Sequence, residues 1–133
     1  MSSDKRFAFT KIFVDDIEAQ ASFYRAVFEM REKGRLTVGT GRDAVEEIIL
    51  TSGRDDDSSL IVWRYPERPT PPPGEAVIGF NVPHIEDTVR AVEAAGGIVH
   101  TEVEQMPELG FAVAFVKDPE GHLIEIAQNL ETR

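Results

Sequence analysis

The chain predicts an α+β fold: two tandem β-α-β-β-β modules whose strands form a curled mixed sheet around a cleft. Three observations carry that expectation. Residues 66–74, PERPTPPPG, put five prolines in nine positions, where lost N–H donors and a fixed φ forbid helix and central strand alike. On either side of that stretch the same order of apolar periods occurs: a strand, a helix and three strands. Letters recur as well. Val14-Asp-Asp-Ile17-Glu18 returns as Val82-Pro-His-Ile85-Glu86, 68 residues later, and Asp55 to Val62 lies over Asp118 to Glu125, 63 residues later.

Each element has its own signal. FAFTKIFV (7–14) is aromatic and β-branched and reads as a strand. Asp15-Asp16 offers an N-cap, after which Ile17, Ala21, Tyr24 and Phe28 keep helical spacing, and Gly34 closes the helical unit. RLTVG, AVEEIILTS and SLIVWRY are strands parted by Gly39-Thr40-Gly41 and by Gly53 to Ser58. Beyond the prolines, EAVIGFNV (75–82) is a strand and HIEDTVRAVEAAGG a helix ended by Gly96-Gly97. IVHTEVEQ, FAVAFVKD and HLIEIAQN complete the second module. The 133 residues thus make one domain, with modules at 7–65 and 75–129 and a stiff linker at 66–74.

Composition narrows the function classes. There is no cysteine, so disulfides, thiolate zinc sites and cysteine nucleophiles are excluded. Fourteen basic against twenty-four acidic residues leave a net charge of −10, which repels nucleic acid and anionic lipid. No apolar run is long enough for a bilayer, and the first ten residues lack a signal-peptide core, so a cytoplasmic protein is expected. Arg54-Asp55-Asp56-Asp57 reads as a solvated turn. No nucleophile elbow, P-loop or dinucleotide fingerprint is present.

Asp118-Pro119-Glu120-Gly121 has the residues of a type I turn: Asp first, Pro second with φ preset, Gly where φ turns positive. Its chemistry is conformational, and His122 behind it is expected at the surface. Glu125, a carboxylate among aliphatics, is the residue that asks for a function.

The duplicated modules, VDDIEAQASFYRAVF after the first strand and FVKDPEGHLIEIAQ near the end together resemble the vicinal oxygen chelate superfamily. That group includes glyoxalase I, extradiol dioxygenases and the bleomycin-resistance proteins. The resemblance covers about Phe7 to Gln128. It implies a divalent ion held by His, Gln or Glu from the first and last strands of each module. Carried across, the final-strand ligand falls on Glu125 and its first-module counterpart on Val62, or on Ile61 if the strands are offset by one. The first-strand positions fall on Phe9 and Val77. Phenylalanine and valine coordinate nothing, so neither a metal nor any other cofactor is expected. Glu46, Glu47 and His100 would supply donors only under other strand assignments.

Strand alternation then lays out the expected cleft. Phe7, Phe9, Lys11 and Phe13 line it from the first strand, Val62 and Arg64 from the fourth. Val77, Gly79 and Asn81 come from the fifth, and Leu123, Glu125 and Ala127 from the last. Trp63, of opposite parity, is expected beneath a helix, and Glu125 is expected to find its counter-charge in Lys11 or Arg64. The predicted function is binding of a small, largely apolar or aromatic molecule. The alternative is a glyoxalase-like lyase or isomerase, rather than a ring-cleaving dioxygenase, with Glu125 as base or metal ligand. The family's habits add a homodimer.

Overall fold

The computed structural model describes residues 5–54 and 57–130, so Asp55 and Asp56 of the acidic run lie outside the described residues. Its chain divides into two compact units, one of residues up to 25 plus 29–71, the other of 26–28 plus 72 onward. Each holds a four-stranded mixed sheet, and neither sheet is closed.

The first unit contains β1 (Phe9–Phe13), most of α1 (Ile17–Phe28), β2 (Arg31–Val38), β3 (Val45–Thr51) and β4 (Ser59–Arg64). The strand order is β1-β4-β3-β2, with β1 parallel to β4 and the other pairs antiparallel. Asp16 caps α1 by accepting from the Ala19 N–H at 3.0 Å, as its position predicts. The helix stops earlier than Gly34. Glu29 takes a left-handed conformation (φ 57°), and β2 starts two residues later, running through Gly34 at a register shift. A glycine inside a strand marks a bulge here, where the sequence suggested a terminator.

Pairing assigns the faces of this sheet. Ile12, Val62 and Ile48 stand in one cross-strand row and Leu60 and Leu50 in another, all of them buried. Burying each such aliphatic side chain stabilises by roughly 1.5–3 kcal/mol. Arg35 on β2 shares this side and bonds Glu18 of α1 at 2.7 Å, which ties the helix to it.

The second unit contains β5 (Val77–Asn81), α2 (Ile85–Ala94), β6 (Ile98–Met106), β7 (Phe111–Lys117) and β8 (Leu123–Asn129). Its order, β5-β8-β7-β6, repeats the first, again with one parallel pair. Ile124, Ile126, Ala114 and Val116 face α2 and are buried with its Ile85 and Val92. The last turn of α1 groups with this unit, where Phe28 stacks on Phe80 at 3.8 Å between ring centroids. His84 occupies the α2 N-cap but makes no side-chain cap; the Ile85 N–H is taken instead by the Gln128 side-chain oxygen at 2.9 Å.

The β7–β8 turn is built as its letters indicate. The Asp118 carbonyl accepts from the Gly121 N–H at 2.9 Å, and Gly121 sits at φ 98°. His122, however, is buried. Its ring nitrogen lies 2.9 Å from the Asp118 carboxylate, which also accepts from the backbone N–H groups of Glu120 and His122. The turn folds the imidazole back onto the aspartate, so a surface position is corrected to an interior one.

Candidate functional site

The two sheets carry different chemistry on the faces turned away from their helices. On the first sheet, Phe9, Lys11 and Phe13 project to one side of β1. Their partners on β4 are Ser59, Ile61 and Trp63, and the row of Trp63 continues to Glu47 on β3 and Leu36 on β2. Val62 and Arg64 therefore lie on the opposite face from Phe9 and Lys11, and their expected place in one lining is corrected. A parallel β1–β4 pair fixes which residues stand abreast, and that register is invisible in either strand alone.

The same register moves Trp63 out from beneath the helix. It stands beside Phe13, whose ring centroid is 5.8 Å away edge-on, and beneath Lys11, whose ammonium is 4.3 Å from the Trp63 ring centroid. Lys11 also pairs with Glu47 at 3.2 Å. Glu47 is only 7% exposed, so Lys11 is the counter-charge of a nearly buried carboxylate. Arg64 pairs with Glu46 at 3.2 Å on the other side. Both cations assigned to Glu125 by the sequence thus have other carboxylates. The Trp63 indole N–H is buried with no acceptor among the described residues.

A hollow of about 590 Å³ opens on this face. Phe7, Phe9, Leu36, Ile49 and Ile61 form its apolar walls. Phe7 and Phe9 are 73% and 51% exposed, too open for core residues of this sheet and suited to meeting a ligand.

On the second sheet, Val77, Gly79 and Asn81 of β5 stand abreast of Leu123, Glu125 and Ala127 of β8, so these two alternating sets share a face. Asn81, Glu125 and Asn129 share a hollow of about 450 Å³ with Leu109, Phe111 and Ala127. Val77 and Leu123 pair with each other on this face but do not line that hollow. A carboxylate between two amides on an apolar floor can accept from a ligand's N–H or O–H, or take up a proton from it.

Topology also settles which positions correspond. Glu125 is abreast of Gly79, which stands 68 residues after Lys11, and Lys11 is abreast of Ile61. The first-module counterpart of Glu125 is therefore Ile61, the offset alternative, and not Val62. Among the described residues no three His, Asp or Glu side chains gather in the manner of a metal site.

The sequence offered Glu47 only as a donor under other strand assignments and set Trp63 beneath a helix, so neither was expected beside Lys11. A signal for Glu47 existed: Lys11 alternates with phenylalanines on a strand, and such a cation needs an anion within reach. Two adjacent glutamates, Glu46 and Glu47, left the choice to the register.

Residues 6–126 match the model of the Glyoxalase/Bleomycin resistance protein/Dioxygenase superfamily. A Vibrio parahaemolyticus protein named "Probable lactoylglutathione lyase" is 28% identical over 134 residues, spanning 96% of this chain and 93% of that protein. A Vibrio cholerae protein of the same name is 42% identical over 52 residues, 39% of this chain and 38% of that one. A solved glyoxalase family protein from Bacillus cereus superposes with a TM-score of 0.84 at 22% identity, covering 98% of this chain and 99% of that one. One mutant of maize (Zea mays) glyoxalase I superposes at 0.76 and 17% identity, covering 92% of this chain and 46% of that one.

Proposed function

Because the chain belongs to the Glyoxalase/Bleomycin resistance protein/Dioxygenase superfamily, we propose that it binds a small, largely apolar or aromatic molecule without the divalent ion that many members use. The observation that carries this reading is the content of the ligand positions. Phe9, Val77 and Ile61 have no nitrogen or oxygen to offer, and Glu125 alone supplies a carboxylate. One donor of four does not fit an ion that needs at least three protein ligands. The apolar walls contributed by Phe7, Phe9, Leu36 and Ile61 favour a hydrophobic body instead.

Thermal shift against nickel, zinc, iron and manganese tests the metal half of the proposal. No stabilisation at micromolar concentrations is expected, while a panel of small aromatic compounds raises the melting temperature. Stabilisation by any of these ions with no response to aromatic compounds would reverse the reading.

A second reading has its own support. Both curated relatives are named lyases, and Glu125 lies with Asn81 and Asn129 in a hollow of its own. In that reading the chain is a lyase or isomerase, and Glu125 abstracts a proton from a carbon next to a carbonyl. Its amide neighbours orient the substrate. Replacing Glu125→Gln removes the base and lowers turnover by about 10²–10⁴-fold, the usual worth of a general base. Unchanged turnover in that variant would dismiss Glu125 as a base.

A further inference from the structure

We infer that the Phe9–Lys11 face of the first sheet selects an apolar organic anion, with Lys11 as its anchor. This rests on the proposed small-molecule binding and adds the sign of the ligand's charge. The hollow on this face is lined by three cationic side chains, Arg6, Lys11 and Lys33, against two carboxylates, Glu47 and Asp57. Among the described lining residues the cations outnumber the carboxylates by one, in a chain whose sum is −10. Both carboxylates already have cations: Glu47 has Lys11 at 3.2 Å and Asp57 has Arg54 at 3.7 Å.

Lys11 and Glu47 are not equally accessible. The lysine side chain keeps 32% of its surface, the glutamate 8%. An incoming ligand therefore meets the ammonium rather than the carboxylate. Glu47 below and the Trp63 ring at 4.3 Å hold that ammonium in place, so little rotamer freedom is lost when an anion arrives. Phe7 and Phe9 supply an aromatic wall beside it. A cationic ligand would meet the accessible Lys11 ammonium here as a like charge. A neutral one would leave the positive balance unused.

The test is a matched set of three probes, 2-naphthoate, 2-naphthamide and 2-naphthylmethylammonium, titrated calorimetrically into the full chain. The carboxylate is expected to bind about ten- to a hundredfold more tightly than the amide, as one charge-assisted contact implies. That advantage is expected to shrink with added salt. It disappears in the double variant Lys11→Met with Glu47→Gln, which avoids stranding a buried carboxylate. It persists in Arg90→Gln, a matched loss of charge on exposed α2. Should the double variant fail to fold, Arg6→Gln and Lys33→Gln serve on exposed positions, each lowering carboxylate affinity and leaving the amide unchanged. Equal binding of carboxylate and amide to the wild-type chain would overturn the anion preference while leaving apolar binding intact. An advantage undiminished in the folded double variant would remove Lys11 as anchor. Failure of all three probes to bind would sink the underlying proposal as well.

Discussion

Lys11, the proposed anchor, also bears on stability. Its ammonium lies 5.6 Å from the Phe9 and 4.3 Å from the Trp63 ring centroid and pairs with Glu47. Truncating it by Lys11→Met leaves Glu47, 7% exposed, without its cation. The expected cost is about 1–3 kcal/mol in urea denaturation, less than for a wholly buried pair because the lysine end is solvated. The companion change Glu47→Gln in the same chain restores most of that loss. If the double variant were as unstable as the single one, the pair would not be the cause. The Asp118–His122 contact makes a related point at the β7–β8 turn. There a carboxylate collects two backbone N–H groups and an imidazole, so the turn is closed by side-chain chemistry as well as by proline and glycine.

Among the elements, the helices depend on partners outside their own sequence. α2 begins at a histidine that gives it no side-chain cap, and Gln128, 43 residues away, provides the missing acceptor to Ile85. Replacing Gln128→Ala is expected to cost about 1 kcal/mol, the usual worth of an N-cap, measured as a lowered urea midpoint. In the first unit, Arg35 on β2 links Glu32 to Glu18 on α1. The Arg35 hydrogen bond holds the Glu32 carboxyl below its ordinary value of 4.5, and the two carboxylates raise the guanidinium pKa. A carboxylate whose folded pKa is depressed stabilises the fold above 4.5, and that contribution is lost as pH falls through the lowered folded value. The melting-temperature gap between the wild-type chain and Arg35→Gln should therefore narrow on acidification from pH 6 to about pH 3. A gap constant across that range would show that the cluster contributes no pH-dependent stability. The Arg35 and Glu32 side chains keep 49% and 28% of their surface, so added salt should shrink the gap too.

For the whole molecule, two sheets of one topology carry different chemistry. The first sheet carries Lys11 and Glu47, while Gly79 and Val113 hold the corresponding places in the second. The second carries Glu125, where the first has Ile61. We propose in addition that the chain is a homodimer, as its family resemblance implies. Sedimentation at concentrations on the order of tens of micromolar should show a species of twice the chain mass; a monomer throughout would refute it.

By itself the sequence determined the α+β class, the order β-α-β-β-β in each half, the cap at Asp16 and the turn at Asp118, and the alternation within single strands that groups Leu123, Glu125 and Ala127 on one face. These are local properties: period, cap and turn residues act over a few positions and leave their mark in the letters. The tertiary structure decided which residues of different strands stand side by side. It sent Val62 and Arg64 to the helix side, brought Trp63 and Glu47 to Lys11, and folded His122 inward against Asp118. The reason is that strand register has a period of two. A one-residue offset between β1 and β4 exchanges the two faces of a strand, and only the hydrogen-bonded pairing of distant segments resolves it.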